Sequence, residues 1–213
     1  MKKTASIFLK AILAGVCIAI GGVIFLACEN KVIGSCLFSI GLFCVCTFGL
    51  NLYTGKVCFV WSNDKYYGLN TITIWLGNLV GCWGVGMLAR ATRLGAEGAA
   101  MVEKVNGMVD VKFGDSLLSV FILGIFCNMM IYVGVESYLR NQHEFGKYLG
   151  IVLCIMVFIL SGYEHCVANM FYITMAGRWC GYAWLFLLVN TAGNAIGGWV
   201  FPLLRKAAEK LEA

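Results

Sequence analysis

Apolar residues run along this chain in long blocks separated by short polar segments. Stretches long enough to cross a bilayer as helix, about 20 residues each, fall at 6–28, 32–61, 70–90, 115–138, 147–176 and 182–204. Six spans are therefore expected. The opening "MKKTASIFLKAILAGVCIAIGG" has the lysines of a secretory leader. Its apolar run continues to Cys28 and five further spans follow, so it reads as a retained first helix. No sizeable soluble domain is left over.

Two of the six stretches are overlong and interrupted. The second, "SCLFSIGLFCVCTFGLNLYTGKVCFVW", is broken by Asn51, Thr54, Gly55 and Lys56, and the fifth is broken from Ser161 to His165. Backbone leaves a helix at membrane depth only where protein buries it or water reaches it, and paired interruptions in two halves point to a transport site. The third and sixth spans share a heptapeptide pattern, "GNLVGCW" at 77–83 and "GNAIGGW" at 193–199. The chain thus reads as one transmembrane domain, 1–213, built from repeats at about 6–90 and 115–204. Three spans per repeat is an odd number, so the second repeat must enter the membrane inverted. Glycines such as Gly15, Gly77, Gly81, Gly193 and Gly197 supply small faces for close helix approach. Asn78 and Asn194 are expected to hydrogen-bond across to the broken helices, because an unpaired amide in lipid is costly.

Composition narrows the class. The chain is 61% hydrophobic and 13% charged, against about a quarter charged in soluble domains. With the N-terminus inside, one face collects Lys2, Lys3, Lys10, Lys56, Lys65, Arg140, Lys147, Arg205, Lys206 and Lys210, and the other only Lys31, Arg90, Arg93, Lys104, Lys112 and Arg178. The positive-inside rule then puts both termini in the cytoplasm. The net charge of +5 is mostly this excess, and no basic aromatic face for nucleic acid is present. Eleven cysteines and two histidines include no CxxC and no histidine pair, so a metal site, a cofactor or a membrane-bound thiol enzyme has no ligand set. Small packing residues in a reducing cell is the simpler reading of the cysteines.

One stretch resists a packing explanation. "GYEHCVANM" at 162–170 puts Glu164, His165 and Asn169 inside a span, where ionisable groups are expensive and mark function by default.

Together these motifs carry a resemblance. "NLYTG" at 51–55, "GNLVG" at 77–81, "ILGIFCN" at 122–128, "SGYEHCVANM" at 161–170 and "GNAIGG" at 193–198 resemble the successive motifs of the formate/nitrite transporter family, over essentially the whole chain. The resemblance implies an all-α, aquaporin-like fold of six transmembrane helices, assembled as a homopentamer in the bacterial inner membrane with a pore in each protomer. It implies a central pore histidine at His165 facing Thr54, with Lys112 in the outer vestibule. Phe38, Ile131 and Phe158 would form an outer apolar constriction, and Leu42, Leu52 and Tyr53 an inner one. Asn128 and Asn169 would support the site. Tyr53 departs from a common phenylalanine and Asn51 from a common acid, and the connection between spans three and four is expected to be compact.

The implied activity is passive or proton-coupled passage of small monovalent weak-acid anions: formate, nitrite or hydrosulfide. Lys112 and half-helix N-termini would concentrate the anion, and lowered dielectric near the constriction would favour its protonation. His165 suits either proton transfer or hydrogen-bond donation. Glu164 is expected to satisfy backbone amides at the break. An aquaporin-like pore for water or neutral solutes is the alternative. It calls for paired Asn-Pro-Ala boxes, whereas the single proline is Pro202.

Overall fold

The computed structural model describes residues 2–212, and among them every regular element is helical. Four helices are long and apolar enough to cross a membrane: α1 (Lys2–Ala27), α5 (Lys65–Arg90), α7 (Leu117–Arg140) and α10 (Gly181–Glu212). Between them lie the shorter α2 (Lys31–Phe38), α3 (Ile40–Thr47), α4 (Tyr53–Val57), α6 (Ala100–Gly114), α8 (Glu144–Leu160) and α9 (Cys166–Ala176).

Local chemistry sets the ends. Asn30 caps α2 by accepting from Val32 and Ile33 N–H, Asp64 caps α5 from Tyr67 N–H, and Ser116 caps α7 from Ser119 N–H. Each satisfies amides that have no partner inside the helix. Helix α9 stops at Gly177, which adopts the left-handed conformation (φ 68°) that glycine alone enters without strain.

Packing follows the small residues. Helix α1 lies along α5, and α7 lies along α10. A Cβ on Gly77 or Gly81 would run into the backbone at Phe8 and Ile12, and one on Gly193 or Gly197 into the carbonyls of Phe121 and Ile125. These pairs of backbones are in contact because glycine leaves room for nothing else. Helix α9 is the innermost element, buried at every position from Cys166 to Met175. Apolar side chains such as Leu9, Ile72, Leu88 and Leu188 stay exposed on the long helices.

Both interrupted stretches have the same local plan. Residues 31–47 form α2 and α3, the chain leaves helix at 48–52, and α4 follows. Residues 144–160 form α8, the chain leaves helix at 161–165, and α9 follows. Each turn contains a glycine with positive φ, Gly49 at 59° and Gly162 at 73°.

Three sequence expectations change. Thr54, Gly55 and Lys56 do not interrupt the second stretch; they lie within α4, and the interruption is the preceding segment. The connection from α5 to α7 is not a compact loop, because residues 100–114 form a helix that packs on α9 and α1. Helix α10 continues past residue 204 to Glu212, where its polar last turns no longer match the apolar period.

Candidate functional site

Two asparagines hold the starts of α4 and α9. Asn78 Oδ1 accepts from Tyr53 N–H at 2.8 Å, while its Nδ2 donates to Asn51 O at 2.9 Å and Ala11 O at 2.8 Å. Asn194 Oδ1 accepts from Cys166 N–H at 2.8 Å, and its Nδ2 donates to Glu164 O and Gly124 O, both at 2.8 Å. Both amides are fully buried. Each therefore gives a partner to a helix-start donor and to one carbonyl of the interrupted segment, Asn51 O or Glu164 O, and ties both to a continuous helix through Ala11 O of α1 or Gly124 O of α7.

This clamping brings His165 to Thr54. His165 is the N-cap of α9, its Nδ1 accepting from Ala168 N–H at 3.0 Å. Its Nε2 lies 2.9 Å from Thr54 Oγ1. A nitrogen that accepts a backbone N–H carries no proton of its own, so the network assigns the imidazole proton to Nε2. Nε2–H then donates to Thr54 Oγ1, and the threonine hydroxyl hydrogen is left free to donate onward. Phe158 stacks on the imidazole at 5.7 Å between ring centroids, and Phe38 meets Phe158 edge-on at 6.0 Å.

One cavity reaches His165, and a second reaches Leu52 and Gly55 beside Thr54. The larger, about 490 Å³, reaches Phe158, Glu164, His165, Ala168 and Asn169 at its floor and Lys104 and Lys112 in its wall. The smaller, about 120 Å³, is lined by Leu42, Leu52, Gly55, Lys56 and Phe59 among others. Of the residues expected to form apolar rings, Phe158 lines the larger cavity and Leu42 and Leu52 the smaller one. Phe38, Ile131 and Tyr53 line neither and are buried.

Glu164 does not serve backbone amides with its carboxylate. Lys112 Nζ donates to Oε1 at 2.8 Å and to Oε2 at 2.7 Å, and Asn169 Nδ2 also donates to Oε2 at 2.7 Å. The ion pair is sheltered, with side-chain exposures of 14% and 7%, so the positive charge expected of Lys112 is cancelled at contact distance. It is the Glu164 backbone carbonyl that serves the turn, accepting from Asn194 and from Asn190 at 2.8 Å.

Asn190 was not among the sequence candidates. It accepts from Asn169 Nδ2 at 3.0 Å and sits four residues before Asn194, on the same face of α10, which is the signal that identifies it. Asn128 donates to Asn194 O at 2.7 Å. The buried Oδ1 atoms of Asn128 and Asn169 have no protein donor. Among the described residues no three His, Cys, Asp or Glu side chains gather as a metal site.

Comparison with known proteins decides the family. A family model described as formate/nitrite transporter matches residues 1–207. The chain belongs to the formate/nitrite transporter family. Membership makes it a multi-pass membrane transport protein and not an enzyme. Among its relatives is the uncharacterized transporter YrhG of Bacillus subtilis, 31% identical over 187 residues, covering 81% of this chain and 69% of that protein. The formate channel FocB of Escherichia coli is 26% identical over 197 residues, covering 82% and 68%. A solved pentameric formate channel with formate bound matches at a TM-score of 0.85 and 25% identity, over 99% of this chain and 98% of that one. In this family member the all-helical architecture is thus that of formate/nitrite transporter channel structures.

Proposed function

We propose that this chain is a passive or proton-coupled channel for small monovalent weak-acid anions, with formate, nitrite and hydrosulfide as the candidate permeants. The hydrogen bond between Thr54 and His165 carries the reading. It is a buried hydrogen bond deep in a membrane protein, with His165 lining the larger cavity and the neighbours of Thr54, Leu52 and Gly55, lining the smaller one. The names of relatives as formate channels and of the matched structure as a formate-bound channel support the substrate class.

The proposed architecture is one domain of six spans in two inverted repeats, with α2–α4 and α8–α9 as the broken ones. Matched contacts support it. Asn78 with Ala11, Asn51 and Tyr53 has the same pattern as Asn194 with Gly124, Glu164 and Cys166. Trp75 Nε1 donates to Thr191 Oγ1 at 3.0 Å, and the two residues hold equivalent places three before each asparagine. By analogy with the pentameric relative the chain assembles as a homopentamer with a pore in each protomer. The lysine and arginine excess on the side of Lys2, Lys56, Arg140 and Arg205 supports an orientation with both termini cytoplasmic, and relatives from Bacillus subtilis and Escherichia coli support a bacterial inner membrane.

In the proposed path, the anion enters the larger cavity past Lys112, Glu164 and Asn169 and passes the outer constriction of Phe38, Ile131 and Phe158. It meets the free hydroxyl hydrogen of Thr54 and leaves by Leu42, Leu52 and Tyr53. Desolvation near the rings raises the proton affinity of a weak-acid anion, so passage as the neutral acid avoids moving charge through a low-dielectric region. His165 has no spare proton to give. Its single proton lies on Nε2, and adding one at Nδ1 means breaking the cap to Ala168 N–H. The histidine is accordingly a fixed donor that aligns Thr54, and the proton comes from bulk solvent as hydronium, which leaves neutral water behind when the anion is protonated.

The test is flux into proteoliposomes of formate, nitrite and hydrosulfide across a pH series. Wild-type protein is expected to pass at least one of them faster at lower pH, and His165→Phe to abolish that flux. Flux unchanged in the variant, or absent for every weak acid, would refute the proposal.

A further inference from the structure

The larger cavity holds three lysines, and the one nearest its floor is the least able to attract an anion. Lys112 is held at contact distance by the Glu164 carboxylate, so at the distance from which an anion approaches, the pair acts as a dipole instead of a charge. At the rim, Glu29 and Lys31 both line the cavity, but both are exposed to solvent, where their fields are screened. Lys104 is half-buried. Among the described residues no carboxylate lies within ion-pair distance of it.

Its position is nevertheless well defined. Lys104 projects from α6, half-buried, and its Nζ donates to Phe25 O at 3.0 Å and to Cys28 O, while the ammonium sits 5.2 Å from the centroid of the Phe25 ring. These partners are the carbonyls at the end of α1 and an aromatic face. They carry partial negative charge, which holds a cation in place without cancelling it. An ammonium has three hydrogens; two serve carbonyls, and one stays available toward the cavity that Lys104 lines.

We infer that Lys104 is the residue that recruits the anion: a fixed, uncompensated cation at the cavity wall that raises the local concentration of any small monovalent anion. This rests on the channel reading above and assigns the electrostatic task to Lys104 instead of to Lys112, which lies on the same helix. The three roles then separate. Lys104 gathers the anion, the Lys112–Glu164 pair shapes the floor, and Thr54 with His165 handles the permeant at the centre. The same contacts fasten α6 to the end of α1, so a test must separate charge from fastening.

The experiment measures initial formate flux into proteoliposomes against concentration, at low and high ionic strength, for wild type, Lys104→Gln, Lys104→Arg and Lys31→Gln. Lys104→Gln is expected to raise the half-saturating concentration roughly fivefold at low salt with the maximal flux kept. The gap should close in high salt, where the Debye length shrinks. Lys104→Arg should retain wild-type values, and Lys31→Gln should change them much less. Four results would overturn the inference: an unshifted half-saturation in Lys104→Gln, a shift that high salt leaves intact, an equal shift in Lys31→Gln, or a joint loss of maximal flux and thermal stability in both Lys104 variants. Wild-type protein without flux of formate, nitrite or hydrosulfide would instead defeat the channel reading itself, and this inference with it.

Discussion

Thr54 Oγ1 and His165 Nε2 lie 2.9 Å apart although 111 positions separate the two residues. One stands in the first turn of α4 and the other caps α9, so a single hydrogen bond joins the two interrupted stretches at their helix starts. Because Nδ1 is committed to Ala168 N–H, the direction of that bond is set, and Thr54 is the group left with a proton to share. Thr54→Val keeps the shape and removes the hydroxyl. Flux of the preferred anion is expected to fall by about tenfold or more, as for other isolated buried donors at transport or catalytic centres, with the melting temperature nearly unchanged. Flux measured by stopped flow alongside thermal unfolding checks both halves of that expectation.

Lys112 and Glu164 should be coupled. Lys112→Met leaves a sheltered carboxylate with Asn169 as its remaining side-chain donor, and breaking such a pair from one side costs about 3 kcal/mol. The double variant Lys112→Met with Glu164→Gln removes both charges and is expected to recover most of that stability. A double-mutant cycle on thermal unfolding of the purified protein would detect the coupling, and additive losses would count against it.

Asn78 and Asn194 cannot be replaced by aspartate. Each Nδ2 donates to two carbonyls, and a carboxylate oxygen in that place would face them with no hydrogen to offer. Asn78→Asp and Asn194→Asp are each expected to lose folded yield, at about 1–3 kcal/mol for every buried group left unpaired. Size-exclusion profiles in detergent would show the loss directly.

Glycine content matters by position. A Cβ at Gly197 would overlap the Ile125 carbonyl, whereas one at Gly84 meets nothing within 4 Å. Gly197→Ala should therefore push α10 from α7 and lower the melting temperature. Gly84→Ala, in an open helical position, should be neutral or stabilising by about 0.5–1 kcal/mol. Parallel melting curves of the two variants discriminate the cases.

Periodic and motif-level information carried a good deal of this structure. The apolar blocks locate α1, α5, α7 and α10, because a span must satisfy its own backbone and so announces itself by length. The recurrence of G-N-x-x-G-x-W marks Asn78 and Asn194, and the polar run at 162–170 marks Glu164, His165 and Asn169. Asn190 was not singled out because it has no motif of its own. The helix at 100–114 was missed because its polar residues resemble a loop, while Met101, Val105 and Val109 bury one narrow stripe.

By itself, then, the sequence determined that this is a membrane-spanning helical protein, with two stretches too long and too polar to be simple spans. Those properties are local: hydrophobic length, glycine placement and the cost of burying polarity are written residue by residue. What each polar side chain touches was decided only by the tertiary structure. Lys112 looked like a free charge and proved to be half of an ion pair; Glu164 looked like a capping group and proved to be the other half. Lys104, one basic residue among several in its segment, proved to be held by the carbonyls of Phe25 and Cys28 at the end of α1. Charge in a protein is a property of the neighbourhood, and neighbours from α6, α9 and the end of α1 meet only when the helices have packed.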